Sequence, residues 1–183
     1  MPLYADDCKL FKEIKSLNDA CELQRDLDSI LNWAKSNSLK LNIKQCNFIS
    51  FYRTKNFIDF QYTLNNEFLN RVQKVKDLGI LYDSKLTFDE HIRDVVARAS
   101  GTLGFIIRST SKFKNPQTLL NLYKSIVLPI LTYCSVIWYP FQDYNFKKLN
   151  SVQHRFFRRW LFVSGNPMNF FQHNYENVAI LIF

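Results

Sequence analysis

Apolar positions along the chain change their period twice, from helical to extended and back to helical. Between Ser16 and Ser36, the residues Leu17, Cys21, Leu23, Leu27, Ile30, Leu31 and Ala34 recur at roughly helical spacing with polar residues between them. That pattern predicts an amphipathic helix lying on a sheet, with Ser16 or Asn18 as its cap. Leu39 to Phe51 reads as extended, its apolar members being Leu41, Ile43, Phe48, Ile49 and Phe51. Ile58, Phe60, Tyr62 and Leu64 then alternate with Asp59, Gln61 and Thr63, a strand that ends at the turn signal Asn65-Asn66. Glu67 to Val72 is the expected return strand, and Val75 to Tyr82 a further strand with Gly79 at its centre.

The helical period resumes at Phe88 and runs through Ile92, Val95, Val96, Ala99, Leu103 and Ile106 or Ile107. Thr87 and Glu90 have the spacing of a capping box, while Gly101 and Gly104 should weaken or bend the helix. Asn115-Pro116 restarts a helix, since proline suits a first turn, and Leu119, Leu122 or Tyr123, Ile126 and Ile130 continue its stripe; Pro129 should kink it. A last helix covers Asp143 to Phe162, with Phe146, Leu149, Val152, Phe156 and Trp160 on its apolar face, and Ser164-Gly165-Asn166-Pro167 breaks it. The predicted class is α+β, with an antiparallel sheet followed by a helical bundle.

Composition narrows the picture. The formal net charge is +8, and it is uneven: residues 1–87 carry thirteen Lys/Arg against eleven Asp/Glu, residues 88–163 eleven against four. A basic C-terminal half suits phosphate backbones or anionic surfaces, although a solvated basic bundle has the same signature. Aromatics make up 16% of the chain, and rings interleaved with cations favour nucleic acid, which stacks on them. Cys8, Cys21, Cys46 and Cys134 form no Cys-x-x-Cys pair and have no histidine at ligand spacing, so neither zinc nor a disulfide framework is indicated. That usage fits a reducing, intracellular setting, cytoplasmic or nuclear, and no secretory leader precedes Tyr4. Ser125 to Phe141 is free of charge, but its prolines and hydroxyls favour a buried helix over a membrane span. His91, His154 and His173 lie apart from one another and from any nucleophile context, so none is assigned to catalysis.

Chemistry enters near the start of the chain. Tyr4-Ala5-Asp6-Asp7 lies between the apolar Leu3-Tyr4 pair and Cys8-Lys9-Leu10-Phe11, reading as a tight acidic turn between two short strands. Paired aspartates in a turn are in general solvated, because Asp favours turns. They are also hard oxygen donors of the kind Mg²⁺ prefers, and phosphoryl transfer uses them.

Tyr4-Ala5-Asp6-Asp7 resembles the metal-binding hairpin of reverse transcriptases. Asn42-Ile43-Lys44-Gln45-Cys46-Asn47-Phe48-Ile49-Ser50-Phe51 is similar to the palm segment that follows that hairpin. Val75-Lys76-Asp77-Leu78-Gly79-Ile80, with Leu86-Thr87-Phe88 and His91-Ile92, resembles the primer grip and thumb entry; Tyr133, Trp138 and Val152-Gln153-His154-Arg155 resemble thumb helices. From Leu3 to Phe162 the order of pieces is similar to the end of the palm and the thumb of non-LTR (LINE-type) retrotransposon polymerases.

The resemblance implies a palm portion over 1–86, a thumb over 87–163 and a truncated extension over 164–183. It implies that Asp6 and Asp7 ligate Mg²⁺, Asp6 more firmly, that Tyr4 lies beneath a primer terminus, and that Lys44 serves the pyrophosphate leaving group. Leu78 and Gly79 would lie along a sugar-phosphate, glycine allowing close approach, and Arg155, Arg158 and Arg159 would follow the phosphates of a template-primer duplex. Implied partners are an RNA template, a DNA primer and deoxynucleoside triphosphates. The ordinary alternatives stay open for each: a surface lysine, a strand bulge, a solvated cationic face. The family also needs a third carboxylate on an upstream strand and nucleotide-binding fingers, and this stretch holds neither. Upstream sequence is therefore expected, and the polypeptide as written is expected not to polymerise DNA; a non-catalytic nucleic-acid-binding module is the alternative.

Overall fold

A computed structural model describes residues 3–4, 7–52, 58–112 and 115–165, with backbone alone at 3, 4 and 7. Its class is α+β. The chain divides into two compact units, residues 1–75 with 83–86, and residues 76–82 with 87–183.

In the first unit the strands are short. β1 (Leu3–Tyr4) pairs antiparallel with β2 (Asp7–Cys8), and β4 (Thr63–Leu64) with β5 (Glu67–Phe68). Between the latter, Asn65 and Asn66 have φ of 52° and 64°, the left-handed pair a tight hairpin turn needs and Asn tolerates. The expected single antiparallel sheet is instead a set of two-stranded pairings, one of them parallel: β3 (Asn47–Phe48) with β6 (Asn70–Arg71). Leu39 to Phe51 is extended only in part, because a 3₁₀ turn over Ile43–Gln45 interrupts it.

Helix α1 (Leu17–Ser36) resolves its own cap. Asp19 N–H donates to Ser16 Oγ at 3.3 Å and Ser16 N–H to Asp19 Oδ2 at 2.8 Å, a reciprocal capping box with aspartate in the usual Glu place. Hydrogen bonds from the Ser16 hydroxyl and from the backbone of Lys15 and Ser16 hold the Asp19 carboxyl below its usual range. The helix meets β4 through Gln24, whose side chain accepts from Thr63 N–H and donates to Thr63 C=O, both at 2.9 Å. These bonds satisfy a strand edge that has no further strand beside it. Ala20, Tyr62, Leu64 and Leu69 form the core here, with Phe48 and Phe60 packed at 5.0 and 4.9 Å from the Tyr62 ring.

The second unit is helical. The stretch expected as one strand with a central glycine is a hairpin, β7 (Lys74–Asp77) and β8 (Ile80–Asp83), with Leu78 and Gly79 at φ 45° and 85° in its turn. Helix α2 (Asp89–Ser109) runs uninterrupted through Gly101 and Gly104. Its N-cap is Phe88 at φ 56°, whose own side chain makes no cap bond, while the Thr87 hydroxyl accepts from Asp89 N–H at 3.5 Å. The apolar ring wins that position because it is buried against Tyr82, 5.6 Å away.

Asn115 caps α3 (Pro116–Leu122) as expected, its Oδ1 accepting from Gln117 N–H. The expected kink at Pro129 takes the form of a π-helical turn over Tyr123–Val127 leading into α4 (Leu128–Thr132). A widened turn accommodates a proline that has no N–H and crowds the carbonyl four residues back. α5 (Ser135–Trp138) follows Cys134 at φ 48°, and α6 (Asp143–Ser164) ends at Gly165, φ 70°. The uncharged run from Ser125 to Phe141 is thus broken into short helices, and no described helix is long and apolar enough to cross a membrane.

Phe156, Trp138, Leu103, Val95, Ile92 and Val127 are fully buried at the centre of this bundle. Tyr123 stacks on Phe156 with centroids 3.9 Å apart, and burial pushes its hydroxyl up to about 12, with Gln153 pulling the other way. The first turns of α2 and α6 are joined by Asp89, whose carboxylate accepts from the Tyr144 hydroxyl and the buried Asn145 amide. Further along, Arg159 of α6 reaches the carbonyl of Ser111 just beyond α2. The two helices therefore run parallel.

Candidate nucleic-acid interface

The two short strands that flank the acidic pair are present and antiparallel. Tyr4 pairs with Asp7 and Leu3 with Cys8, which leaves only Ala5 and Asp6 to connect the strands. Asp6 itself lies outside the described residues, and Tyr4 and Asp7 are described by backbone alone. Two adjacent aspartates supply suitable oxygens for Mg²⁺, but among the described residues no group of three acids, histidines or cysteines comes together to complete a metal site.

Lys44 sits exposed in the 3₁₀ turn, with no side-chain hydrogen bond or ion pair among the described residues. Two residues on, the Cys46 thiol is pushed up first by burial and then by Cys8. Arg71 holds its guanidinium 5.0 Å from the Phe48 ring and pairs with Asp59 at 2.8 Å. The same unit has a shallow cavity of about 140 Å³ lined by Phe51, Tyr52, Ser84, Lys85 and Leu86, closed on one side by the Tyr52 N–H to Ser84 C=O bond of 3.1 Å. Sequence reasoning did not select it, because its two segments are more than thirty residues apart.

Leu78 and Gly79 are at a hairpin tip and not along a strand. The Leu78 carbonyl accepts from the Tyr133 hydroxyl at 3.0 Å, and a Cβ on Gly79 would stand 3.5 Å from the same ring. The glycine answers first to the positive φ of the turn.

The three arginines of α6 differ in exposure. Arg155 and Arg158 are exposed, but Arg159 is half-buried, donating to Ser111 C=O at 3.4 Å with its guanidinium 5.4 Å from the Phe162 ring. In its place the structure supplies a residue the sequence reading missed. Arg108 of α2 and Arg155 of α6 bring guanidinium nitrogens to 3.3 and 3.6 Å from the position a Cβ would take on Gly104. The only signal in sequence was the helical spacing of Gly104 and Arg108; their meeting with Arg155 depends on how α2 packs on α6.

The chain was compared with known proteins. It is 30% identical over 172 residues, 90% of its length, to the RNA-directed DNA polymerase from mobile element jockey of Drosophila melanogaster, and 25% identical over 169 residues to that of Drosophila funebris. It is 28% identical over 160 residues to the probable RNA-directed DNA polymerase from transposon BS of Drosophila melanogaster. Its relatives are polymerases of mobile elements. The chain spans 18% of the length of each of these three proteins. No protein-family profile and no solved structure matches it.

Proposed function

We propose that the chain is the end of the palm and the thumb of a non-LTR retrotransposon reverse transcriptase, with residues 1–86 as palm, 87–163 as thumb and 164–183 as the start of an extension. The observation that carries this reading is the 30% identity to a mobile-element polymerase over 90% of the chain. The antiparallel pairing of Leu3–Tyr4 with Asp7–Cys8 supports it, since an acidic metal hairpin needs paired strands on either side of its aspartates.

In the parent polymerase a primer 3′-hydroxyl attacks a deoxynucleoside triphosphate opposite an RNA template, and pyrophosphate leaves. Asp6 and Asp7 would hold Mg²⁺, which offsets charge on the reacting phosphates. Tyr4 would lie under the primer end. Lys44, exposed in its 3₁₀ turn, would offer a cation to the departing pyrophosphate, and the Leu78-Gly79 turn would border the primer. Among the described residues no three acids gather into a metal site, and on this reading the 183-residue polypeptide alone would not extend a primer.

A chimera tests the assignment. Residues 1–165, placed in the jockey polymerase in exchange for its matching segment, should support primer extension, and Asp6→Asn with Asp7→Asn should abolish it. Extension that survives both substitutions removes the hairpin from catalysis. The second reading, a nucleic-acid-binding module without catalysis, is favoured by Arg108, Arg155 and Arg158, which have no ion pair among the described residues. It predicts salt-dependent binding of an RNA–DNA duplex by the polypeptide alone.

A further inference from the structure

Charge is segregated along the parallel pair α2 and α6. All four acids of residues 88–163 lie near the helix starts, Asp89, Glu90 and Asp94 on α2 and Asp143 on α6. Arg93 and Arg98 answer two of them at 3.4 and 2.9 Å. Arg108, Lys112, Arg155, Arg158 and Arg159 occupy the other end with no carboxylate among their described partners. Complementing the helix dipoles explains Arg108, which is in the last turn of α2. It does not explain Arg155, which is more than two turns from the end of α6.

The two guanidinium groups nevertheless converge on one place. Gly104 has no side chain, and the place its Cβ would take is approached by an Arg108 nitrogen at 3.3 Å and an Arg155 nitrogen at 3.6 Å. Like charges brought together with no acid between them repel, unless an anion joins them. Arg159 adds to the electropositive side of the same interhelix surface, its Nε buried and without a hydrogen-bond partner among the described residues. Phe105 and Phe162 stand exposed nearby on the two helices, at 64% and 78%. Planar guanidinium forks on helices that also expose rings suit a phosphodiester backbone more than a carboxylate peptide.

We propose that Arg108 and Arg155, meeting over Gly104, form a seat for a single backbone phosphate of a nucleic-acid duplex. The seat rests on the thumb reading above and deepens it, moving the contact from a row of arginines on one helix to a pair shared by two. Two arginines on one phosphate release about one counterion between them, so they act as a unit.

The test uses the 183-residue chain and an RNA–DNA duplex, with affinity measured over a salt series. Arg108→Gln and Arg155→Gln should each weaken binding about tenfold and each lower the slope of log affinity against log salt by about 0.9 or less. The double variant should lose no more slope than either single. Arg93→Gln, a cation already paired with Glu90, should bind like the unmodified chain. Gly104→Leu, which puts a side chain at that place, should reproduce the loss with both arginines intact, and circular dichroism should show its helices retained. In a parallel arm, inorganic phosphate should shift the Nε–Hε resonances of Arg108 and Arg155 together. Full affinity in Arg108→Gln, or additive slope losses in the double variant, overturns the shared seat while leaving duplex binding in place. Failure of the unmodified chain to bind duplex at any salt instead overturns the thumb reading and the nucleic-acid assignment with it; phosphate shifts at both arginines would then mark a free-phosphate site only.

Discussion

The two units solve the folding problem with different means. The helical unit buries a contiguous core that includes Trp138, Phe156 and aliphatic residues from α2 through α6, several with no exposure. The strand-bearing unit gathers a core cluster of only four buried residues, Ala20 among them, with Ala34 buried outside the cluster. It compensates with directed polar bonds: the Ser16–Asp19 box, the two Gln24 bonds to Thr63, the Arg71 bond to Phe60 C=O, and a Lys12–Glu22 ion pair. Apolar burial is nondirectional and grows with area, whereas a hydrogen bond contributes only its small net gain and fixes geometry. The helical unit should therefore be the stable part, and the other unit the part that opens first.

Substitutions can break that contrast. Phe156→Ala removes a ring stacked on Tyr123 at the centre of the bundle and should cost about 3–5 kcal/mol in urea unfolding. A loss below 1 kcal/mol, on the order of a surface change, would mean the bundle is not the stabilising core. Leu64→Ala should cost about 2 kcal/mol, and amide exchange should accelerate over α1 and β4 while α2 and α6 stay protected. Exchange that accelerates equally in α2 would show the two units to unfold as one. Ser16→Ala should cost about 1 kcal/mol and fray the start of α1. If thermal melts of that variant superpose on the parent, the capping box contributes nothing.

The smallest effect is one of pH. His91 is buried, its Nδ1 accepting from Leu81 N–H at 3.3 Å and its ring 5.2 Å from Trp138. Burial holds it below the usual 6.5, with Arg98 and Lys76 adding to the shift and Asp94 opposing it. Above pH 6.5 both folded and unfolded chains hold a neutral imidazole, so its contribution is flat. As pH falls below that value the unfolded chain takes up a proton that the folded chain resists, and stability declines. Urea midpoints on either side of pH 6.5 should differ in this sense, and the His91→Gln variant should lose part of the difference. An unchanged difference would assign the titration to other groups.

Local chemistry made much of this legible beforehand. Asn65-Asn66 marked its turn because Asn tolerates the left-handed region, and Asn115-Pro116 and Ser164-Gly165 marked helix ends for equally local reasons. The readings that failed were those where packing overrules sequence spacing. Thr87 and Glu90 have the spacing of a capping box, yet burial of Phe88 moves the helix start. A glycine centred in an apolar run looks like a strand bulge, yet Leu78 and Gly79 turn the chain because Tyr133, far along the sequence, packs there.

The site divides in the same way. The acidic pair could be picked out because adjacent aspartates between short apolar strands need no tertiary partner to be noticed. Arg108 could not, since nothing along α2 separates it from any other surface arginine. By itself the sequence determined where α3 begins and α6 ends, that Asn65-Asn66 turns the chain, and where cations are in excess, all consequences of dihedral preference and spacing along one segment. Only the tertiary structure decided which cations meet, because the parallel packing of α2 on α6 joins Arg108 to Arg155 across a gap of more than forty residues, and separation of that kind leaves no periodic trace.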